Sequence, residues 1–212
     1  MEGKYGIIFD MDGTLWDSAS EVAASWTEVV KREYQPERVI TKEDMQSVMG
    51  KPMDLLSAAL FPELSEKERE ELMGKCCVEE NEYLREHGGK LYPDVEETLK
   101  KLSAKYRLFI VSNCQSGYVE AFLYHYHFEK YFDDIECYGN NGLGKGDNIK
   151  EIVGRNNLVK AVYVGDIQGD YDASMEAGVK FIHAAYGFGS IKQDVPRIMG
   201  MKQLPDIISE IL

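Results

Sequence analysis

A short apolar run that ends at two aspartates constrains the fold of this chain more than any other segment. Residues 6–9 read Gly-Ile-Ile-Phe and are followed by Asp10, Met11, Asp12 and Gly13. Such a run, ended by turn-forming residues, predicts a strand that is buried on both faces. In an extended backbone Asp10 and Asp12 point the same way, and Gly13 permits a tight turn. Two such carboxylates raise each other's pKa, and a divalent cation with oxygen ligands removes that conflict.

The segment from Asp10 to Thr14, which reads Asp-Met-Asp-Gly-Thr, resembles the first signature of the haloacid dehalogenase-like hydrolases. The resemblance implies that Asp10 attacks phosphorus and becomes an aspartyl-phosphate. It also implies that Asp12 acts first as general acid and then as general base. Taken alone, the motif is also compatible with an Asp-rich turn after a strand. Three later segments, in the order of the family's other signatures, support the resemblance.

Two of these segments supply candidate phosphate-binding residues. The apolar run 108–111 ends at Ser112 and Asn113, where a hydroxyl and nearby backbone N–H groups can donate to phosphate oxygens. Lys145 lies between glycines and can bring a compact positive charge close to a transferring phosphoryl group. Ser-Asn is also ordinary turn chemistry, and a lysine in a glycine-rich loop is usually solvated. Their interpretation as phosphate-binding residues therefore depends on the order of the segments along the chain.

Lys150 is the alternative cation in this part of the chain. Asp147 is a favourable N-cap, and the apolar residues that follow it recur at helical spacing. We therefore expect a helix capped by Asp147, which leaves Lys145 in the preceding loop and Lys150 on an exposed helix face.

The last segment is an apolar run, residues 161–164, followed by Gly165, Asp166 and, four residues later, Asp170. The resemblance implies a Mg²⁺ site formed by Asp10, Asp166 and a backbone carbonyl at Asp12. Asp170 lies one helical turn beyond Asp166 and would orient it, or a bound water, without being a ligand itself. The alternative is that Asp170 or the nearby Asp172 only caps the following helix.

Strand-like runs near residues 5–10, 107–112, 161–165 and 179–184 alternate with helical patterns, and a short strand is expected within 133–138. This alternation predicts an α/β fold with a doubly wound parallel sheet, a Rossmann-like core whose sites lie at the carboxyl ends of the strands.

The stretch between the first two long strands is too long for one crossover helix and contains only helical patterns. As in relatives that resemble this chain, we expect a small α-helical cap inserted after the first strand. We place the cap at residues 17–87 and the core domain at residues 1–16 and 88–212. The joints between them are expected near Leu15–Asp17 and His87–Pro93, where Gly88 and Gly89 can absorb backbone rotation.

Charge and cysteine content exclude several classes of function. The 212 residues carry a formal net charge of −13, which argues against nucleic acid or an anionic membrane as partner. The four cysteines lack metal-binding spacing and are expected to be reduced thiols in a cytoplasmic protein. The N-terminal apolar run is too short for a signal peptide or a membrane span.

The resemblance thus implies a Mg²⁺-dependent phosphatase that hydrolyses a small phosphorylated metabolite through an aspartyl-phosphate. Lys51, in Gly-Lys-Pro, looks like part of the family's cap loop and is a candidate for substrate specificity, although an exposed surface lysine fits the sequence equally well. Phosphoglycolate, sugar phosphates and nucleotides remain open as substrates, and the sequence does not determine the oligomeric state.

Other functions remain as alternatives. A phosphomutase similar to β-phosphoglucomutase usually follows the loop lysine with Lys-Pro-x-Pro-Asp, whereas Lys145 is followed here by Gly-Asp-Asn. A pyrophosphatase of the same family stays open. A non-catalytic binding module on this scaffold would be expected to lack a catalytic residue, and every expected position is filled.

Overall fold

The computed structural model of the chain describes residues 4–212, and within that range the chain forms eight strands. In chain order the strands are β1 (Tyr5–Phe9), β2 (Trp16–Asp17), β3 (Lys90–Leu91), β4 (Arg107–Ser112), β5 (Asp134–Cys137), β6 (Lys160–Gly165), β7 (Lys180–Ala184) and β8 (Arg197–Ile198). The α-helices, in chain order, are α1 (Ala19–Glu33), α2 (Lys42–Val48), α3 (Met53–Leu60), α4 (Glu66–His87), α5 (Val95–Ser103), α6 (Tyr118–Tyr126), α7 (Tyr138–Asn141), α8 (Lys145–Arg155), α9 (Gln168–Glu176) and α10 (Leu204–Ile211).

The main sheet has six strands in the order β5-β4-β1-β6-β7-β8, and every neighbouring pair is parallel. In the central strand Ile8 pairs with Phe109 of β4 on one side and with Tyr163 of β6 on the other. The predicted doubly wound parallel sheet is confirmed. Because all six strands run the same way, the predicted motifs that follow β1, β4 and β6 meet at one edge.

Both faces of the sheet are covered, because alternate side chains along each strand enter different apolar clusters. Ile7 and Phe9 belong to a large cluster that includes residues of α5, α6 and α10. Ile8 belongs to a second cluster with Ile149 of α8 and Ala173 of α9. Burial on both sides explains why β1 reads as a continuous apolar run.

Helices α1–α4, which we call the helical insertion, lie between β2 and β3. The short strands β2 and β3 pair antiparallel, Trp16 with Leu91 and Asp17 with Lys90, so the two connections to the insertion run side by side. The sequence did not predict this ribbon, because two-residue strands have no readable periodicity. The predicted domain boundaries at 16/17 and 87/88 stay a prediction.

Several smaller expectations can be compared with the structure. All four cysteines are free thiols, as expected. Gly88 ends α4 with φ of 68°, a left-handed conformation that favours glycine. Over residues 4–212, none of the helices has the length and apolar content that crossing a membrane requires.

Candidate active site

The predicted site residues converge at the carboxyl edge of the sheet. Asp10 follows β1, Ser112 ends β4 and Asp166 follows β6. Since β1 lies between β4 and β6, the three side chains come from neighbouring strand ends. The backbone N–H of Asp10 still donates to the Val164 carbonyl at 2.9 Å, which holds the first aspartate in register with the sheet.

A buried lysine joins two of the acids at this edge. Lys145 Nζ donates to Asp10 Oδ1 at 2.9 Å and to Asp170 Oδ1 at 2.6 Å. Each of the three residues is at most 5% exposed, so the charges pair out of contact with solvent. Charge-assisted hydrogen bonds of this kind fix the position of the ammonium group.

The position of Lys145 corrects one expectation from the sequence. Helix α8 begins at Lys145 itself with Gly144 as its N-cap, not after a cap at Asp147. The Asp147 side chain pairs instead with Lys150, which also contacts Glu176 at the surface. Lys145 is therefore a buried first-turn residue and not a loop residue, while the exposed position predicted for Lys150 is confirmed.

Burial shifts the pKa values of the charged cluster. Burial raises the pKa of Asp10 to about 7, with a further rise from the nearby Asp170 and an opposing effect of Lys145. Burial also raises the pKa of Asp166 well above its ordinary value, and Asp170 and Asp10 add to that rise. Burial lowers the pKa of Lys145, but the two carboxylates outweigh it and the net shift is upward.

The acids at this edge have the composition of a site for a hard divalent cation. Asp10, Asp166 and Asp170 each offer a carboxylate oxygen, and these oxygens lie within 4.8 Å of one another. Three buried carboxyl groups face one ammonium group, so the cluster has an excess of negative charge that a cation would balance. Oxygen donors of this type fit Mg²⁺.

Asp170 has more contacts than the sequence suggested. Its Oδ2 accepts the backbone N–H groups of Asp166 at 3.0 Å and Ile167 at 3.1 Å, at the start of α9. The capping alternative is therefore correct for Asp170, and the same side chain also lies beside Asp10 and Asp166 and pairs with Lys145. Its orienting role toward a metal stays a prediction, and its geometry also allows it to be a ligand.

The Asp12 side chain lies apart from this cluster. Its Oδ1 accepts hydrogen bonds from Ser18 Oγ at 2.6 Å and from Tyr118 OH at 2.8 Å. Burial raises the pKa of Asp12, and the two hydroxyl donors oppose the rise. A carboxyl group with a raised pKa that faces a cleft is suited to proton transfer.

Two glycines allow the chain to approach the Asp166 carboxylate closely. Gly13 has φ of 81°, and a Cβ atom there would overlap the Asp166 carboxylate. A Cβ atom at Gly187 would overlap both the Asp166 side chain and the Gly13 carbonyl. The next backbone N–H, of Phe188, donates to Asp166 Oδ2 at 2.7 Å. The turn after β1 and the loop after β7 thus hold Asp166 in place.

A cleft runs from this edge toward the helical insertion. Asp12, Ser112 and Asn113 line it on the sheet side. Asn113 Nδ2 donates to the Gly50 carbonyl at 3.0 Å, so its side-chain amide contacts the insertion. A separate open groove of about 560 Å³ lies outside the cleft, and Lys51 lines both. Lys51 is exposed, and its Nζ donates to the Ser47 carbonyl at 2.8 Å.

Sequence reasoning missed the residues that surround Asp12. Tyr118 is 106 positions from Asp12 in the chain, and no motif links the two. Glu80 on α4 is buried and lines the cleft. A signal for Glu80 did exist, because Leu72, Cys76, Glu80 and Leu84 recur every four residues and are all buried on one face of α4.

Comparison with known proteins agrees with this geometry. The family model described as haloacid dehalogenase-like hydrolase matches residues 7–184, which include every motif described above. The chain belongs to the haloacid dehalogenase-like hydrolases. The match runs from within β1 to the end of β7 and therefore includes the whole helical insertion.

Individual relatives point to the phosphatase branch of these hydrolases. The chain is similar to the phosphoglycolate phosphatase of Aquifex aeolicus, with 30% identity over 207 residues, 90% of this chain and 89% of that protein. It is 28% identical to the phosphoglycolate phosphatase of Vibrio vulnificus, over 86% of this chain and 84% of that protein. The predicted membership in the phosphatase branch is confirmed.

Solved structures agree with the fold. A haloacid dehalogenase-like family protein from Streptococcus pneumoniae superposes with a TM-score of 0.77 at 21% identity, over 96% of this chain and 97% of that one. A structure described as a predicted phosphoglycolate phosphatase from Haemophilus somnus gives a TM-score of 0.80 at 24% identity, over 95% and 96%.

Proposed function

We propose that this protein is a Mg²⁺-dependent phosphatase that hydrolyses a small phosphate monoester through an aspartyl-phosphate at Asp10. The observation that carries the proposal is the buried cluster in which Lys145 pairs with Asp10 and Asp170 while Asp166 lies beside them. A structural salt bridge would need only one carboxylate. Three carboxylates around one amine at the edge of a cleft favour a site for a cation and a phosphate group.

The first chemical step forms a bond between a carboxylate oxygen of Asp10 and phosphorus. The bond between phosphorus and the ester oxygen breaks, and Asp12 gives its proton to the departing oxygen, which leaves as an alcohol. The raised pKa of Asp12 supports this role, because the group can hold a proton until the leaving group needs it.

The second step hydrolyses the aspartyl-phosphate. Asp12, now ionised, takes a proton from a water molecule whose oxygen attacks phosphorus, and the Asp10 carboxylate departs. The products are inorganic phosphate and the restored enzyme. Ser18 and Tyr118 hold the Asp12 carboxyl group in one orientation through both steps.

The phosphoryl oxygens need positive charge and hydrogen-bond donors in both steps. Ser112 lines the cleft with its hydroxyl group, and Lys145 supplies an ammonium group. We assign Asn113 to phosphate binding through its backbone N–H, because its side-chain amide already donates to Gly50. Bound Mg²⁺, held by Asp10, Asp166 and a carbonyl oxygen at Asp12, with Asp170 orienting Asp166 or a bound water, would neutralise charge on the phosphoryl group.

We further propose that the helical insertion acts as the cap over this site. Gly50 of the insertion lies against the core, since Asn113 donates to its carbonyl and a Cβ atom there would lie 2.7 Å from Ile167 Cδ1. The relatives named phosphoglycolate phosphatase make two-carbon phosphate esters the first substrates to test. We also propose that the protein acts on phosphorylated metabolites in the cytoplasm.

The test is phosphate release from a panel of phosphorylated metabolites, with EDTA and after Mg²⁺ is restored. We expect release only with the cation, because the buried carboxylates otherwise repel each other and the phosphate. In acid-quenched samples with substrate, mass spectrometry should locate a phosphoryl group at Asp10 and find none in Asp10→Asn, and beryllium fluoride, which mimics that group, should inhibit the wild type. Full turnover in EDTA, or a phosphoryl group on another residue, would contradict the mechanism.

The same experiment separates the phosphomutase and the binding module from a phosphatase. A phosphomutase would interconvert sugar phosphates with little release of inorganic phosphate, and a binding module would release none. The Gly-Asp-Asn sequence after Lys145 differs from the Lys-Pro-x-Pro-Asp pattern of the mutase-type relatives, which favours hydrolysis.

A further inference from the structure

One buried carboxyl group in the cleft has no part in the proposed reaction. Glu80 lies on α4 and is only 4% exposed. It lines the cleft from the side of the helical insertion, facing the end of the sheet where Asp12 and Ser112 lie. Glu80 is thus placed where the leaving group of a bound phosphate ester would extend.

The Glu80 carboxyl group has a hydrogen-bond donor but no cation. Trp26 Nε1–H donates to its Oε2 at 2.7 Å. Gln115 lies beside it, with its amide nitrogen directed to Asn81 Oδ1 at 3.0 Å. Among residues 4–212, no lysine, arginine or histidine nitrogen pairs with this carboxyl group. Burial raises its pKa to about 8, Asp12 adds to the rise, and the Trp26 indole N–H and the Gln115 side-chain amide oppose it.

A glutamate is a costly residue for this position if its role is only structural. A glutamine would accept the same hydrogen bond from Trp26 without an ionisable group in an apolar environment. The other lining residues on the insertion side are largely apolar: Val22, Met45, Met49, Met53 and Leu56. An unpaired carboxyl group that faces a cleft with such walls is a candidate binding group.

The dimensions of the cleft limit what can bind there. Its volume is about 40 Å³, and a water molecule needs roughly 10–15 Å³ by the same measure, so a leaving group of only a few heavy atoms fits. The one cationic residue in its lining, Lys51, is exposed at the rim and donates to the Ser47 carbonyl. Asp12 and Glu80 are the two ionisable carboxyl groups in the lining of the cleft, and Glu80 is the one on the side of the leaving group.

We propose that Glu80 makes the cleft selective for phosphate monoesters whose leaving group ends in a protonated amine, and that it disfavours leaving groups that end in a carboxylate. The substrates of this class are phosphorylated short amino alcohols. An ammonium group supplies the cation that Glu80 lacks, and the aromatic rings of Trp26 and Tyr118 in the cleft wall also attract cations. A bound ammonium group would favour the ionised form of Glu80, whereas a carboxylate would meet Asp12 and Glu80 and no cation other than Lys51 at the rim. This inference rests on the proposed phosphatase function.

The experiment compares three esters of nearly equal size that differ in the charge of the leaving group. They are O-phosphoethanolamine, 2-hydroxyethyl phosphate and phosphoglycolate, whose leaving groups end in a cation, a neutral hydroxyl and an anion. We measure kcat/KM for each with the wild-type protein, Glu80→Gln and Glu82→Gln. Glu82 is the matched control because it is an exposed glutamate on the same helix.

We expect the wild type to prefer the amine ester over phosphoglycolate by about tenfold or more, a difference of ~1.4 kcal/mol or more in transition-state binding. In Glu80→Gln this ratio should fall by a similar factor, whereas Glu82→Gln should keep it. The glutamine side chain has nearly the same shape and retains the acceptor for Trp26, and circular dichroism checks that the variant folds.

Three results would overturn the inference. They are phosphoglycolate as the best of the three substrates, the neutral ester as the best, or an unchanged charge preference in Glu80→Gln. The wild-type ranking alone decides the first two, even where the variant fails to fold. Hydrolysis of the esters with the wrong ranking, or release of phosphate from other members of the metabolite panel but from none of these three, refutes only the role of Glu80. No phosphate release from any member of the panel refutes the proposed function as well.

Discussion

Replacing Glu80 with glutamine should change how the stability of this protein depends on pH. The carboxyl group is buried, and its pKa is raised from 4.5 to about 8. The folded state therefore binds the Glu80 proton more tightly than the unfolded state does. The stability that this proton contributes is fully present below pH 4.5 and is lost as the pH rises through about 8.

The size of this change in stability follows from the shift in the pKa of Glu80. Between pH 5 and pH 8 the free energy of unfolding of the wild type should fall by about 3 kcal/mol relative to Glu80→Gln, at ~1.4 kcal/mol per pKa unit. Asp10 and Asp166 titrate in both proteins, so their contributions largely cancel in the difference.

Urea denaturation followed by circular dichroism at pH 5, 6, 7 and 8 measures this difference. Glu82→Gln is again the control, since an exposed glutamate should give a difference from the wild type that hardly varies with pH. A difference between the wild type and Glu80→Gln that stays constant within about 0.5 kcal/mol over this range would refute the argument, because it would mean that the group is ionised and solvated in the folded protein.

Three further substitutions test other parts of the site. Asp12→Asn should lower kcat by about 10²- to 10⁴-fold on esters with poor leaving groups, the range for lost acid–base catalysis, and a normal steady-state rate would exclude that role. Lys51→Ala should raise KM for the best natural substrate but not for p-nitrophenyl phosphate. An equal loss of activity on both substrates would mean that Lys51 serves phosphate binding or folding. No loss of activity on either would mean that it is a surface lysine without a role in the reaction. Gly13→Ala should destabilise the protein in thermal unfolding by more than the ~1–3 kcal/mol that a strained backbone costs, because the added Cβ atom also overlaps Asp166. Gly142→Ala is the control. Gly142 has φ of 73° but no atom within 4 Å of an added Cβ atom, so this variant should show the backbone strain alone. Equal losses for the two alanines would mean that the overlap with Asp166 is relieved without cost.

The residues that follow the long strands could be predicted because their signals are local. Asp10, Ser112 and Asp166 each follow an apolar run of strand length, and a parallel sheet brings such ends together. The prediction therefore needed the strands and their direction, but no knowledge of long-range contacts. The short strands β2, β3 and β8 have two residues each, which is too few for a pattern to appear.

The first turn of α8 shows why the position of Lys145 could not be predicted as well. Asp147 has a side chain that favours an N-cap, so local reasoning starts the helix there. The helix starts earlier, with Gly144 as N-cap. Lys145 pairs with Asp10, 135 positions away, and with Asp170, 25 positions away. These tertiary contacts are absent from any local window of the sequence.

Glu80 illustrates an intermediate case. The helix α4 is rich in acids, and most of its glutamates are solvated, so Glu80 does not stand out by residue type. Its spacing of four residues from Cys76 and Leu84, continued by Leu72, does indicate the buried face of the helix. What the spacing does not reveal is that this face turns toward the cleft and toward Trp26, because that depends on how α1 and α4 pack.

The charges of the site assign its two ends to different parts of the fold. With its groups ionised, the cluster of Asp10, Asp166, Asp170 and Lys145 is negative, so a phosphate group is attracted only after a cation has balanced it. Under the proposed function, the core would receive the negative end of a substrate together with Mg²⁺. The cleft under the helical insertion has an almost cation-free wall and contains Glu80, which a bound ammonium group would shift toward its ionised form, so the cleft favours a positively charged leaving group. Under both proposals, a substrate with a negative phosphate group and a positive leaving group is oriented by its own two charges before the helical insertion contacts it more closely.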